Sequence, residues 1–385
     1  MPQGGTQRVL VVLDPRSPSS RHMLGGVRRQ ARRHASWRLE LVPPHAPPAS
    51  LRNAAGLVGW LQHVEHRPLD TPAVSVLSTS SLPESLRVHS DPLAGGRLAA
   101  EHLLQRDLRR LSVCISPQAK GARRRRAEVF ADVAREAGAT VDWFELTRFK
   151  GEPADQVVVG RLAAWLDART LPLGLMCQDD AWGLLAVQAC GLAGLRVPDG
   201  VAVVGHNNDV PICEFCDPPL SSVEPNQPRI GYEAAGLLAR LMAGEPPPER
   251  PIRVPPVGVV TRGSTDVQHT ADPAVASALR YIRDHLADGI GARDVIDHAP
   301  ASASTLQRRF KDHRGQTVGQ ALHQARIRRV EQLLLRDGRP LAEVAVDAGY
   351  DHLSQMCREF KRATGSTPTA YRHRFDISRP TSPGE

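Results

Sequence analysis

The sequence predicts two architectures in series: a two-lobed, doubly wound α/β unit over residues 1–265, then an all-α domain with two helix-turn-helix units over residues 274–376. Three observations lead there. Apolar strand-like runs alternate with helical stretches through the first two thirds of the chain, the pattern of a mainly parallel sheet with right-handed crossovers. That alternation stops near the proline-rich stretch GEPPPERPIRVPP, residues 244–256, and only helix signals follow Pro273. The helical part also repeats internally: ARDVIDHAPASASTLQRRFKDHRGQT stands about 50 positions before AEVAVDAGYDHLSQMCREFKRATGST.

In chain order, RVLVVLD (8–14) is the first strand and HMLGGVRRQARRH (22–34) the helix after it. LVGWL (57–61) and AVSVL (73–77) are further strands, followed by the helix AGGRLAAEHLLQR (94–106). LSVCIS (111–116), LGLMC (173–177) and VAVVGH (201–206) continue the strands, with helices at 124–138, 155–169, 181–192 and 230–244 between and after them. The first half is expected to form one lobe and everything from about residue 107 onward the second. Residues 266–273 read as a linker and 377–385 as a disordered tail.

A chain of 385 residues is long enough for two or three buried cores. Its 41% hydrophobic and 23% charged residues are those of an ordinary globular protein. No run of about 18 apolar residues marks a membrane span, and MPQGGTQRVLVVL has too short an apolar run for a secretory signal. Six scattered cysteines make no disulfide framework, which fits a reducing cytoplasm. Cys213 and Cys216 form a CxxC, but no second pair follows at zinc spacing, so no metal is expected. The net charge of +8 suits a polyanionic partner without singling one out.

In the second copy of the repeat, Leu341, Val344, Ala345 and Ala348 share one apolar helix face. Gly349 is expected to stop that helix in the left-handed conformation, and Asp351 to cap the helix that restarts. Leu306 matches Met356, Arg308 matches Arg358, Phe310 matches Phe360, Lys311 matches Lys361 and Gly315 matches Gly365. With Met356 and Phe360 turned inward, the outer face carries His352, Ser354, Gln355, Arg358 and Lys361. The matching helix of the first copy carries Ser304, Thr305, Gln307, Arg308 and Lys311. Donors of this kind read base edges or grip phosphates in a major groove. Residues 317–336 form a helical connector that would set both faces on successive grooves of double-stranded DNA, about 34 Å apart. The plain alternative is a solvated helical bundle, and two copies with matched spacing weigh against it.

This segment resembles the AraC/XylS family of transcription regulators through Ala345, Gly349, Tyr350, Phe360, Lys361, Gly365, Pro368 and Tyr371-Arg372. One departure is the first turn, where Ala299-Pro300-Ala301 replaces a glycine-containing turn.

Doubly wound units bind ligands in the crevice at the carboxyl ends of their strands. Strand ends here carry Asp91, Arg126, Asp179, Asp180, Asn207, Asn208 and Asp209, the carboxylates, amides and guanidinium that sugars take as bidentate partners. Each alone reads as a helix cap or a surface residue; their shared position favours a site. Trp182, directly after the acidic pair, is the first candidate to stack on a sugar ring, ahead of Trp60 and Trp143, with core packing as the competing reading. DPLAGGRLAAEHLL, CQDDAWG, VPDGVAVVGHNND, PPLSSVEPN and IGYEAAGLLARLMAGEPPP resemble the sugar-sensing domain of the LacI/GalR regulators, which share their fold with periplasmic sugar-binding proteins. The resemblance implies that Asp91, Arg126, Asp179 and Asn207 to Asp209 approach a sugar. The order of sensor first and reader last resembles the xylose operon regulators and implies a xylose-like pentose. Three departures stand out: Asp179-Asp180 replaces Asn-Asp, Asn207 stands where Asp is usual, and PRSPSSRHMLGG lacks a Tyr-Gly step.

These readings together predict a sequence-specific DNA-binding regulator that answers to a small sugar. By resemblance it is an activator, a homodimer and a partner of RNA polymerase in the cytoplasm, with no cofactor, metal or membrane. One alternative is a ligand-independent regulator with a decayed sensor, supported by the departures at Asp179 and Asn207. Another is a DNA-repair methyltransferase, which needs four clustered cysteine ligands and a reactive Cys-His-Arg step. None of the six cysteines has that neighbourhood, and the chain shows no P-loop, GxSxG elbow or HExxH.

Overall fold

The unbroken aliphatic run of Gln7–Val12 (β1) starts the fold in the computed structural model, which describes residues 6–61, 71–146, 154–266, 272–336 and 339–375. Two units divide between Asp266 and Val267. In the first, β1 is followed by α1 (Pro18–Ala31), β2 (Trp37–Val42), β3 (Gly56–Gly59) and β4 (Ala73–Ser75), a parallel sheet in the order β2-β1-β3-β4. Val9 and Val11 feed the core on one face of the sheet, and Leu10 and Val12 the core on the other. Burial on both faces is why the strand reads as a continuous apolar run. β5 (Val88–Ser90) meets this sheet through a bridge between Ser75 and Arg87.

The second lobe runs through α2 (Pro92–Leu104), β6 (Arg110–Ile115), α3 (Ala122–Glu136), β7 (Thr140–Glu145), α4 (Asp155–Asp167), β8 (Leu173–Cys177), α5 (Asp180–Leu192), β9 (Val201–His206), α6 (Val210–Phe215) and β10 (Ser221–Glu224). The chain then crosses back. α7 (Gln227–Met242) packs its Ile230, Ala234, Leu237 and Leu238 into the first lobe's core beside Val9, Val27 and Val58. Its backbone touches that of α1: a Cβ on Gly26 would stand 1.9 Å from the Pro228 carbonyl oxygen, and one on Gly231 2.1 Å from that of Met23. β11 (Ile252–Val254) pairs with β5, and β12 (Gly258–Val260) returns to pair antiparallel with β10. The second sheet therefore has the order β12-β10-β9-β8-β6-β7. The expectation that everything after about residue 107 forms one lobe is corrected here. α7 and β11 belong to the first lobe, because their apolar faces complete its core.

The three crossings lie side by side. The Asp91 N–H donates to the Val254 carbonyl at 2.8 Å, and the Val257 N–H to the Glu224 carbonyl at 2.8 Å. Ser264 and Thr265, near the end of this unit, are tied to the second lobe. Ser264 Oγ donates to the Val203 carbonyl at 2.6 Å and accepts from the Ser221 N–H at 2.8 Å. Thr265 Oγ1 donates to Ser221 Oγ at 2.7 Å and lies 2.7 Å from His102 Nε2. Ser264 and Thr265 are fully buried, and burial holds the His102 imidazole well below its ordinary pKa.

The second unit contains α8 (Pro273–His285), α9 (Ala292–His298), α10 (Ala303–Arg314), α11 (Val318–Arg336), α12 (Leu341–Asp347), α13 (Leu353–Thr364) and α14 (Pro368–Phe375). Two cores share α11. Its first half adds Val318, Ala321 and Leu322 to a core built on Val275, Ile282, Leu306 and Phe310. Its second half adds Ile327, Val330, Leu333 and Leu334 to one built on Val344, Met356 and Phe360. The two halves also meet directly. Gly349 has φ 77°, and a Cβ there would lie 2.0 Å from the Leu286 carbonyl oxygen. Arg326 Nη2 donates to the Ile290 carbonyl at 3.0 Å, and its guanidinium makes a cation–π contact 5.3 Å from the Tyr350 ring centre.

 The expectation that Asp351 caps the restarting helix is also corrected: His352 takes the N-cap of α13, with no side-chain bond to the helix. In the first copy the turn needs no left-handed residue, since Ala299 is extended at φ −74° and Ser302 caps α10.

β2 and β7 escaped the sequence reading because they are edge strands with half-polar patterns, WRLELV and TVDWFE; β5, β10, β11 and β12 are only three or four residues long. The expected linker 266–273 lies mostly, and the expected tail 377–385 wholly, outside the described residues. Among the described residues no helix is long and apolar enough to cross a membrane.

Candidate functional sites

The second unit presents two matched faces. Leu306 and Phe310 in α10, like Met356 and Phe360 in α13, are completely buried, so each helix turns its opposite side outward. Both helices end on a glycine in the left-handed conformation, Gly315 at φ 64° and Gly365 at φ 75°, whose N–H groups bond the carbonyls of Lys311 and Lys361. Ser304, Arg308 and Lys311 are exposed on the first face, and His352, Ser354, Arg358 and Lys361 on the second. Thr305, Gln307 and Gln355 are only half exposed. Two of them have local partners: the Thr305 hydroxyl accepts from Ser302 Oγ at 2.8 Å, and Gln355 Nε2 donates to Glu359 at 3.0 Å. The other oxygen of Glu359 lies 2.9 Å from His323 Nδ1 on α11, so connector and second face are joined by side chains as well as by packing. Arg309 pairs at 2.9 Å with Asp272, which caps α8.

In the first unit the strand-end residues gather where the lobes meet, each in a defined role. Asp91 caps α2, accepting from the Leu93 and Ala94 N–H groups at 2.8 and 3.4 Å. Asp179 caps α5 through the Trp182 N–H at 3.1 Å. Asp180 is 1% exposed and accepts from the Asp209 N–H at 2.7 Å and the Ser222 hydroxyl at 2.5 Å. Burial outweighs those two bonds and pushes its carboxyl up to about 7. Asn207 and Asn208 adopt φ 111° and 48°, a region that favours Asn over most side chains. This gives a local reason for Asn at position 207. Asn208 Nδ2 donates to Glu224 at 2.9 Å and its Oδ1 accepts from Arg262 at 2.8 Å, tying this loop to the crossing at Glu224. Burial raises the carboxyls of Glu224 and Asp209.

Arg126 lies in the second turn of α3, 5% exposed, with Nη2 donating to the Gln178 carbonyl at 2.5 Å. Burial lowers its pKa to about 10. Among the described residues several buried polar atoms of this region have no hydrogen-bond partner: Arg126 Nε, His206 Nδ1, Asp209 Oδ1, Gln227 Oε1 and Ser90 Oγ. Such atoms are costly unless a ligand or water completes them.

Trp182 corrects an expectation. Its ring is 7% exposed and packs in the second lobe's core with Leu185, Val203 and Leu220, so it is not a stacking platform. Trp143 is covered by the Arg124 guanidinium, 5.1 Å from its ring centre, and Trp60 packs against the first lobe's core. The sequence does not single out His206, Gln178 or Arg262 as site residues. His206 was read only as the end of a strand, and its side-chain placement is a tertiary property. Cys213 and Cys216 are buried, and burial pushes both thiols up, opposite to a redox nucleophile. Among the described residues no group of three or more His, Cys, Asp or Glu is placed to hold a metal.

Known proteins resemble both units. The periplasmic binding protein-like domain matches residues 100–265, and a helix-turn-helix domain matches residues 296–374. The xylose operon regulatory protein of Escherichia coli (strain K12) is 31% identical over 313 residues, 79% of each chain. That of Haemophilus influenzae (strain ATCC 51907 / DSM 11121 / KW20 / Rd) is 34% identical over 212 residues, 55% of each chain. Among solved structures, the xylose-binding transcription activator XylR aligns with a TM-score of 0.61 and 27% identity, covering 95% of this chain and 97% of the other. The complex of the regulator CelR with cellobiose aligns over 68% of this chain and 86% of its own at TM-score 0.55 and 22% identity, a likeness of fold.

Proposed function

The chain belongs to the xylose operon regulatory protein family, a sugar-responsive class of DNA-binding transcription regulators, and we propose that α10 and α13 are its two DNA-reading helices. The observation that carries this reading is the pair of matched faces: Arg308 with Lys311 and Arg358 with Lys361, each backed by a fully buried phenylalanine and joined through α11. Ser304, Thr305, Gln307, His352, Ser354 and Gln355 complete the two faces. Exposed Arg and Lys are suited to guanine edges and phosphates, and Ser, Gln and His to either base edges or backbone.

The first unit takes the effector where its lobes meet, with Arg126, Asp179, Asn207, Asn208 and Asp209 around it; Asp91 and Asp180 hold local structure there. A pentose related to xylose is the first effector to test. The proposal includes activation, a homodimer, RNA polymerase as partner, a cytoplasmic location and no catalytic step. Binding one arrangement of the lobes more tightly than another shifts the population of the whole chain.

The test is a footprint. Duplexes selected from a random pool by the full-length protein are probed with and without D-xylose and a panel of pentoses and hexoses. The expected result is salt-sensitive protection of sites in successive grooves, altered in extent or affinity by one sugar. Absence of salt-dependent affinity for any selected duplex would remove the DNA-reading assignment, and a footprint indifferent to every effector would remove the sensor.

A further inference from the structure

Two side chains one turn apart on α13 are joined in a way that fixes what one of them can recognise. Gln355 Nε2 donates to Glu359 Oε1 at 3.0 Å, and the other carboxylate oxygen lies 2.9 Å from His323 Nδ1 on α11. Burial alone would raise the Glu359 carboxyl. The hydrogen bonds to it, led by that of Gln355, and the His323 imidazole instead hold it below the usual carboxylate range. An ionised carboxylate only accepts, so the amide nitrogen of Gln355, and not its oxygen, must face Glu359. One N–H and the carbonyl oxygen of this half-exposed side chain are left over, with no other partner among the described residues. The first copy has no such pair. At the matched positions the Thr305 hydroxyl accepts from Ser302 Oγ at 2.8 Å, and Arg309 pairs with Asp272 at 2.9 Å. The helix-turn-helix therefore folds without this device.

We propose that Gln355 reads adenine in the major groove and that Glu359, held by His323, is the positioning residue that sets this preference. This rests on α13 being a DNA-reading helix and names the base it selects. A free glutamine amide carries two N–H donors and one acceptor oxygen. With one N–H committed to Glu359, Gln355 presents a single donor beside a single acceptor. Adenine offers the complement, N7 to accept and the N6 amino group to donate. Guanine offers two acceptors, N7 and O6, so the Gln355 carbonyl meets an acceptor there and only one bond forms. Cytosine and thymine also allow one bond each, through N4 and O4. The restriction comes from Glu359, which lies on the flank of α13 toward α11 and not on the outward face with Arg358 and Lys361. The hydroxyl of Thr305 in the first copy both donates and accepts, so α10 and α13 differ in what they fix.

The experiment selects duplexes from a random pool with the full-length wild type, Gln355→Ala, Glu359→Ala and Glu359→Gln, with circular dichroism as the check of folding. The wild-type sites should contain an A·T pair that Gln355→Ala relaxes. At that pair the wild type should prefer adenine over guanine by about tenfold or more, as for a bidentate contact. Replacing that adenine by purine, which lacks the N6 amino group, or by 7-deazaadenine, which lacks N7, should each weaken binding about threefold or more. Glu359→Ala should cut the adenine-to-guanine ratio to about threefold or less. Glu359→Gln, whose carbonyl still accepts from Gln355, should retain most of it. A general change in affinity or stability leaves a ratio at one pair unmoved, which separates positioning from a structural role. If Glu359→Ala does not fold, Glu359→Leu takes its place. A relaxed pair other than A·T, no relaxed pair, or indifference to both modified bases would overturn the adenine assignment. An unchanged ratio in the folded Glu359 variant would overturn the positioning role. Salt-sensitive binding by the wild type would persist in each of those cases; its absence on every duplex would remove the DNA-reading assignment and this inference together.

Discussion

Replacing Gly349 by alanine should harm the reader far more than the same change at Gly315 or Gly365. All three glycines are left-handed, at φ 77°, 64° and 75°, so each alanine costs about 1–2 kcal/mol in backbone conformation. The difference is space. A Cβ at Gly315 or Gly365 meets nothing within 4 Å, whereas at Gly349 it lands 2.0 Å from the Leu286 carbonyl oxygen. A main-chain atom cannot swing aside as a side chain can, so the two halves must separate, an overpacking cost of about 1–3 kcal/mol. The total at Gly349 is then about 2–5 kcal/mol. For a unit of this size each kcal/mol lowers the melting temperature by about 4 °C. Thermal unfolding of the full chain, followed by circular dichroism, should show a drop of about 8–20 °C for Gly349→Ala and about 4–8 °C for the two controls. DNA affinity should fall furthest for Gly349→Ala, because the Leu286 contact also fixes the pose of one reading helix against the other. A melting temperature for Gly349→Ala matching that of Gly365→Ala would refute the contact and the reasoning from it.

Other predictions follow from the same geometry. The folded pKa of Asp180, about 7, lies above its unfolded value of 3.8, so its contribution is complete below about pH 4 and fades as pH rises through 7. Urea titrations across that window should show stability declining by a few kcal/mol on the order set by a three-unit shift, with a shallower decline in Asp180→Asn; identical slopes would contradict the burial argument. Asp209 and Glu224, also raised, leave some slope in the variant. Phe360→Ala should destabilise the second helix-turn-helix by about 3–5 kcal/mol, as expected for a fully buried aromatic ring, and chemical denaturation measures it. Arg358→Ala should weaken DNA binding by about 1–3 kcal/mol if it reads a base; equal weakening on all duplexes with a smaller salt slope identifies a phosphate contact instead.

The reader was legible in the sequence because its information is local. Apolar positions at helical spacing, and a second copy with Phe360 where the first has Phe310, define both cores and both outer faces before any tertiary contact is known. Even there the cap was misplaced by one residue, since Asp351 and His352 compete at the same turn and sequence preference favours the aspartate. The sensor was legible as strands and helices but not as lobes. Nothing local tells α7 to return to the first lobe; that follows from Gly26 and Gly231 allowing two helix backbones to touch. Trp182 shows the same limit, because a tryptophan beside two aspartates has one sequence context whether its ring faces a ligand or a core. His206 is the converse: the end of an apolar run conceals a buried imidazole whose importance lies in what surrounds it.

Ser264 and Thr265 fasten the end of the first unit to Ser221, Val203 and His102, all in the second lobe. The end of the first unit is thus moored to one half of a two-part body. A displacement of the second lobe against the first would carry Ser264 and Thr265 with it while leaving these contacts intact.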